Sequence, residues 1–148
     1  MNGLQLLTAF LLSLELFAAE NLDSYAENIQ LLPSGKSEGK GIVLAWLEYD
    51  ATINIERFSK NADVLMAHLV LWVMASEHVD SNELPRLDIE LLDDHLVDIE
   101  LTVRFSETIN LVPDANGPFL IDGENWQLIE QVPIDVAESG DVEPAPDA

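Results

Sequence analysis

Two segments set the architecture of this chain: LEYDATINIERFSKNADVLMAHLVLWV (Leu47–Val73) and LDIELLDDHLVDIELTVRFSETI (Leu87–Ile109). The first begins as a strand in which apolar and polar residues alternate, and it continues into a helix that is apolar almost all round. The second alternates in two blocks around an acidic break, which is typical of an antiparallel hairpin with one face on a core and one in water. We predict an α+β fold in which a mainly antiparallel, or mixed, β-sheet packs against two helices.

The predicted central helix runs from Ala62 to about Glu77. Ser59 and Asn61 both offer N-cap oxygens, and Asp63 lies in the first turn, where negative charge favours the helix dipole. A helix that is apolar in every direction is normally buried on all sides, and a chain of 148 residues has little else to cover it. We therefore expect this helix, or the strand beside it, to take part in a homo-oligomeric contact.

The remaining segments predict a single α+β domain over residues 1–134, followed by a disordered acidic tail over 135–148 that contains no base. An amphipathic packing helix is predicted at 3–19, because the N-terminus lacks the basic residues of a signal peptide or a membrane-surface helix. Residues 20–28 are polar and predict irregular structure, after which Ile29, Leu31 and Leu32 are compatible with a short strand. The segment PSGKSEGKG (Pro33–Gly41) predicts a turn or mobile loop at 33–41, and the core then extends over 42–134, with a strand at Ile42–Phe58.

The charge of the chain is strongly unbalanced. Twenty-eight acidic against six basic residues give a formal net charge of −22. Clustered bases supply most of the affinity of nucleic-acid-binding proteins, and here the six bases are scattered, so direct nucleic-acid readout is not expected. The absence of cysteine excludes disulfides and thiolate sites and is compatible with a reducing cytoplasm.

The residues closest to a metal site are Asp93, Asp94 and His95, with Asp98 and Glu100 nearby. Hard cations prefer several carboxylate oxygens, but this spacing matches no standard calcium loop, and Asp and His are ordinary turn residues. We therefore predict no metal-binding residue.

No other sequence motif indicates a catalytic, metal-binding or cofactor-binding site. His68 and His78 lack the four-residue spacing of a zinc-binding helix, and no nucleophile elbow, phosphate loop or dinucleotide fingerprint occurs. Arg104 is a base on an otherwise acidic strand face, for which we expect cross-strand pairing, with a cross-subunit ion pair as the alternative. We predict no catalytic residue, no cofactor-binding residue and no cofactor, and we expect that the protein is not an enzyme.

The two quoted segments resemble the tail completion protein R family of contractile-tailed phages. In the first, an aromatic strand leads through Phe58 to a helix opened by Ala62 and Asp63. The second, taken to Val112, has an Asp-rich break and an alternating Asp-x-Glu strand, with Glu107 after it. With WQLIEQVPI, the resemblance covers Ile42 to Ile134.

The resemblance implies a structural virion protein, a tail terminator that forms a hexameric homo-oligomeric ring at the head-proximal end of the tail. Such a ring would stop tail polymerisation and support head–tail joining. The implied partners are further copies, the tail tube and sheath proteins, and the connector or neck proteins, with no membrane. The implied location is the virion tail, after assembly in the host cytoplasm.

Two other classes remain open from the sequence. An acidic binding module, such as a DNA-mimic inhibitor of a DNA-binding enzyme, would present carboxylates in place of phosphates. An enzyme using paired carboxylates would need two acids with separated pKa values in an apolar pocket.

Overall fold

The computed structural model describes residues 1–80 and 82–129. Two helices and six strands follow one another, with a short 3-10 turn at Ala19–Asn21 after the first helix. In chain order they are α1 (Asn2–Ser13), β1 (Leu22–Glu38), β2 (Gly41–Phe58), α2 (Ala62–Ala75), β3 (Arg86–Leu91), β4 (Val97–Pro113), β5 (Phe119–Ile121) and β6 (Glu124–Leu128).

These six strands form one sheet in which each pair is antiparallel. Five of them follow the order β1-β2-β4-β6-β5, and β3 pairs with β4 outside this order. The long strand β4 pairs with β2 along one edge. Its other edge pairs with β3 near its start and with β6 near its end. The predicted α+β class is confirmed, while the predicted acidic tail at 135–148 lies outside the described residues.

The core lies on one face of the sheet. Alternate residues of β2 and β4 point into it and are buried, as the period of two requires, and the two helices cover them. The ring of Phe10 in α1 stacks on that of Trp72 in α2 at 6.1 Å, and Trp72 meets Phe105 of β4 edge-on at 6.0 Å. The main buried side chains are Leu7, Leu11, Tyr49, Ile53, Ile55, Leu65, Leu69, Ile99, Leu101, Val103 and Phe105.

The predictions of irregular structure at 20–28 and of a loop at 33–41 were wrong, whereas the short strand around Ile29–Leu32 lies within β1. Strand β1 covers Leu22–Glu38, and only Gly39 and Lys40 turn the chain into β2. Gly39 has the positive φ of +60° that such a tight turn requires. Because β1 is paired on one side only within the described residues, it accommodates Pro33, which a central strand would not.

The first helix is shorter than predicted. It ends at Ser13 instead of residue 19, and Glu15 adopts a left-handed conformation with φ of 56°, which no α-helix can continue through. The β3–β4 hairpin is confirmed, with the backbone N–H of Leu92 donating to the carbonyl of Leu96 across the turn at 2.9 Å.

Candidate assembly surfaces

The residues that the sequence singled out for metal binding serve the β3–β4 turn. One carboxylate oxygen of Asp93 accepts the backbone N–H groups of His95 at 2.7 Å and Leu96 at 3.0 Å. Within residues 1–80 and 82–129, no group of three or more His, Asp or Glu side chains is arranged to hold a metal ion. His68 lies between the helices, where its ring meets Phe10 edge-on at 6.4 Å.

Arg104 forms a cross-strand network on the face of the sheet opposite the helices, which we call the outer face. Its guanidinium lies 3.1 Å from a carboxylate oxygen of Asp50 and 3.8 Å from one of Glu48, both on β2. The side-chain amide of Asn28 on β1 donates to the other oxygen of Asp50 at 2.8 Å. The predicted cross-strand pairing is confirmed, but the partners come from β2 and not from the acids near Arg104 in sequence.

This network fixes the charge state of Asp50. Burial acts to raise the pKa of Asp50, but the hydrogen bonds from Asn28 and Arg104 and the charge of Arg104 hold that pKa below the ordinary value of 3.8. The Asp50 carboxylate is therefore ionised and committed to holding β1, β2 and β4 together.

A second carboxylate, Glu107, is buried on the helix side of the sheet. Its oxygens accept the backbone N–H groups of Asn2 at 3.0 Å and Gly3 at 2.7 Å, and also the hydroxyl of Tyr49. The Tyr49 oxygen in turn accepts the N–H of Leu4 at 3.1 Å. Glu107 thus satisfies the free N–H groups at the start of α1, where the helix dipole favours a negative charge.

The Tyr49 hydroxyl is locked in its neutral form. Burial raises the pKa of Tyr49, and the hydrogen bond to the Glu107 carboxylate raises it further. A phenol held in this way is a structural donor rather than an acid for catalysis. The sequence analysis missed this arrangement, although a signal for it was present: Glu107 follows Leu101, Val103 and Phe105 at two-residue intervals and so points inward.

The exposed face of α2 carries a continuous row of apolar side chains, the α2 stripe. Leu65 and Leu69 are buried against the sheet, and the rest of this apolar helix is not covered within the single chain, as its composition led us to expect. Leu71 is 66% exposed and Met74 is 77% exposed. The stripe consists of Val64, Ala67, Val70, Leu71 and Met74, at the three- and four-residue spacing of one helix face.

A second apolar area lies on the outer face, at the β1–β2 turn end of the sheet; we call it the Trp46 patch. Trp46 is three residues before the inward-pointing Tyr49 and so projects from the opposite face. Leu32 sits directly across from it on β1, and these two side chains are 43% and 45% exposed. Leu44, also exposed, completes the patch. Lys36, opposite Val43 in the last part of β1, and Lys40, in the turn that follows, lie at the same end of the sheet.

The other end of the outer face carries an acidic groove of about 350 Å³. Strands β2, β3 and β4 bring its carboxylates together through their antiparallel register. The acidic residues lining it are Glu56, Asp88, Glu90, Asp98 and Glu100.

Taken together, these features define a small two-layer α+β fold with exposed apolar surfaces on both layers. The chain matches the family P2 phage tail completion protein R (GpR) over residues 1–131, and it belongs to that family. The match confirms the resemblance and extends it to the N-terminal helix and β1. Family membership assigns the protein to phage tail completion, as a component of the tail.

A curated relative has not been characterised functionally. The chain is 32% identical over 147 residues to the "Uncharacterized 19.2 kDa protein in rep-hol intergenic region" of Haemophilus phage HP1, covering 93% of this chain and 87% of the relative. No solved structure matches the chain. In the part of the chain that the structure describes, neither helix is long and apolar enough to cross a membrane.

Proposed function

We propose that this protein is a non-enzymatic tail terminator whose copies form a hexameric ring at the head-proximal end of the tail. The ring stops polymerisation of the tube and sheath proteins and offers a surface to the connector or neck proteins for head–tail joining. It assembles in the host cytoplasm and stays in the virion tail. Family membership supports the tail role, and the α2 stripe is the observation that supports self-assembly.

The α2 stripe is more than scattered surface apolarity. Single exposed apolar residues are normal on a monomer, but contiguous ones mark contact surfaces. Fully burying a Leu or Met side chain contributes about 1.5–3 kcal/mol, so Leu71 and Met74 alone could supply much of the energy of a subunit contact. Ala67 lies between them and Val64, and its small side chain lets a partner approach the helix closely.

Purified protein, alone and mixed with isolated tail tubes, provides the test of this function. We expect rings in negative-stain images, a mass of several subunits by light scattering, and caps at one end of the tubes. Leu71→Gln/Met74→Gln should abolish the rings. Leu91→Gln, which changes a 78% exposed side chain at the β3–β4 turn, is the matched control and should leave them intact. A protein that stays monomeric and leaves tube ends uncapped and still growing would refute the proposal.

The acidic groove favours a second candidate, an acidic binding module that mimics DNA. Five carboxylates at one end of the outer face resemble in charge a short run of phosphates. If this is the function, the protein captures a basic DNA-binding enzyme and inhibits it, and the unchanged protein does not cap tube ends. The variant Glu90→Gln/Glu100→Gln should then bind that enzyme more weakly.

A further inference from the structure

We propose that, in the ring, the α2 stripe of one copy packs onto the Trp46 patch of the next copy. This inference rests on the proposed function and specifies the contact by which the ring forms. It makes the interface heterologous, with two different surfaces of each subunit in contact.

The two surfaces lie on opposite layers of the molecule. Both helices contribute to one core on a single face of the sheet, and the α2 stripe points away from that core. Trp46 and Leu32 project from the outer face of the sheet. A subunit that uses one surface therefore keeps the other free for a further neighbour, which is the requirement for a head-to-tail ring.

A partner at the edge of the sheet beside the Trp46 patch is expected to bind by packing against side chains, and not by adding a strand to β1. The free edge of β1 contains Pro33, which has no N–H to donate, and its pairing with β2 shifts register between Glu27 and Gln30 and between Pro33 and Lys36. Such features block the pairing of another strand along an edge. The partner is therefore expected to approach the exposed side chains of the patch, and a helix with an apolar face suits that role.

Charge favours a second copy as the partner. Lys36 and Lys40 lie at the same end of the sheet as the Trp46 patch, in a chain with six bases in all. The C-terminal end of α2, beside Leu71 and Met74, is followed by Glu77, Asp80 and Glu83, and the helix dipole adds partial negative charge there. Placing this end of α2 against the two lysines pairs opposite charges where two subunits of net charge −22 otherwise repel each other.

Mixing two complementary variants tests the contact. The helix variant is Leu71→Gln/Met74→Gln and the sheet variant is Leu32→Gln/Trp46→Gln, with Leu84→Gln as the control for an 86% exposed leucine outside both surfaces. In each variant alone we expect the dissociation constant to rise about a hundredfold, giving monomers by sedimentation velocity at micromolar concentration. An equal mixture retains one intact pair of surfaces, so it should form 1:1 heterodimers and nothing larger.

A second measurement does not depend on the apolar substitutions. Lys36→Glu/Lys40→Glu should weaken assembly, and mixing it with Glu77→Lys/Glu83→Lys should restore contact between unlike variants. Circular dichroism of each variant checks that the subunit is folded.

Each other outcome overturns the inference. If the sheet variant still dimerises while the helix variant does not, α2 pairs with α2 and the contact is isologous. If both variants form rings like the unchanged protein, other surfaces hold the ring, and the proposed function survives without this contact. If the unchanged protein is monomeric but caps tail tubes, the α2 stripe and the Trp46 patch bind tube proteins and not each other. If the unchanged protein neither assembles nor caps tubes, both this contact and the proposed function are refuted.

Discussion

Replacing Glu107 with alanine should destabilise the subunit more than any other single carboxylate change in β4. The substitution removes the acceptor for the N–H groups of Asn2 and Gly3 and for the Tyr49 hydroxyl. The bonds from Gly3 and Tyr49 are buried, while that from Asn2 is partly exposed. Buried hydrogen bonds to a charged group contribute about 1.5–3 kcal/mol each, so the two buried bonds predict a loss of about 3–6 kcal/mol.

A loss of that size is a large part of the roughly 5–15 kcal/mol by which a domain is stable. Urea unfolding at fixed protein concentration measures it, because assembly itself shifts apparent stability. Glu100→Ala, an exposed carboxylate on the outer face of the same strand, is the matched control and should change the free energy of unfolding by less than about 0.5 kcal/mol. If Glu107→Ala costs less than about 1 kcal/mol, the Glu107 carboxylate does not anchor α1.

Three further predictions concern acid, packing and salt. The pKa of Asp50 lies below the ordinary value of 3.8 in the folded chain. The ionised Asp50 carboxylate therefore stabilises the fold fully above pH 3.8, and this stabilisation is lost as the pH falls through the folded pKa. In Asp50→Asn the free energy of unfolding, measured by urea melts, should depend less on pH between about pH 5 and 2. Gly3→Ala should cost about 1–3 kcal/mol by thermal unfolding, because a methyl group there would come within 2.7 Å of ring atoms of Phe105. Assembly of subunits at −22 should strengthen as salt rises towards physiological values, where the screening length is about 8 Å; sedimentation velocity showing rings that dissociate over this range would contradict it.

The central strands could be predicted because their apolar residues recur at the two-residue spacing of side chains that point into the core. Ile99, Leu101, Val103 and Phe105 alternate with polar residues, and all four are buried in the core. The start of α2 was also readable, since the Asn61 side chain accepts the N–H of Asp63 at 2.9 Å as an N-cap does.

Strand β1 was missed because pairing, and not its own pattern, holds it in place. Residues 27–37 of the strand are all exposed, so burial imposes no alternation there, and Pro33 with Gly35 indicated a loop. The register with β2, which continues to Glu38 opposite Gly41, is a property of two segments together. For the same reason the partners of Arg104 could not be named from sequence, because Asp50 faces it only through the β2–β4 register.

The pairing of β2 with β4 has a consequence for how the subunit folds. Phe58 pairs with Val97 and Ile42 with Leu111, so the whole of α2 and β3 lies inside the loop that this pairing closes. Hairpins form within microseconds, but pairings between distant segments are slow and limit the folding rate. The Trp46 side chain belongs to the first hairpin, whereas α2 completes its packing, through the contact of Trp72 with Phe105, once β4 docks. Under the contact that we propose, a nascent chain would therefore complete its two apolar surfaces in order, and a copy without a docked β4 would be unable to bridge two neighbours.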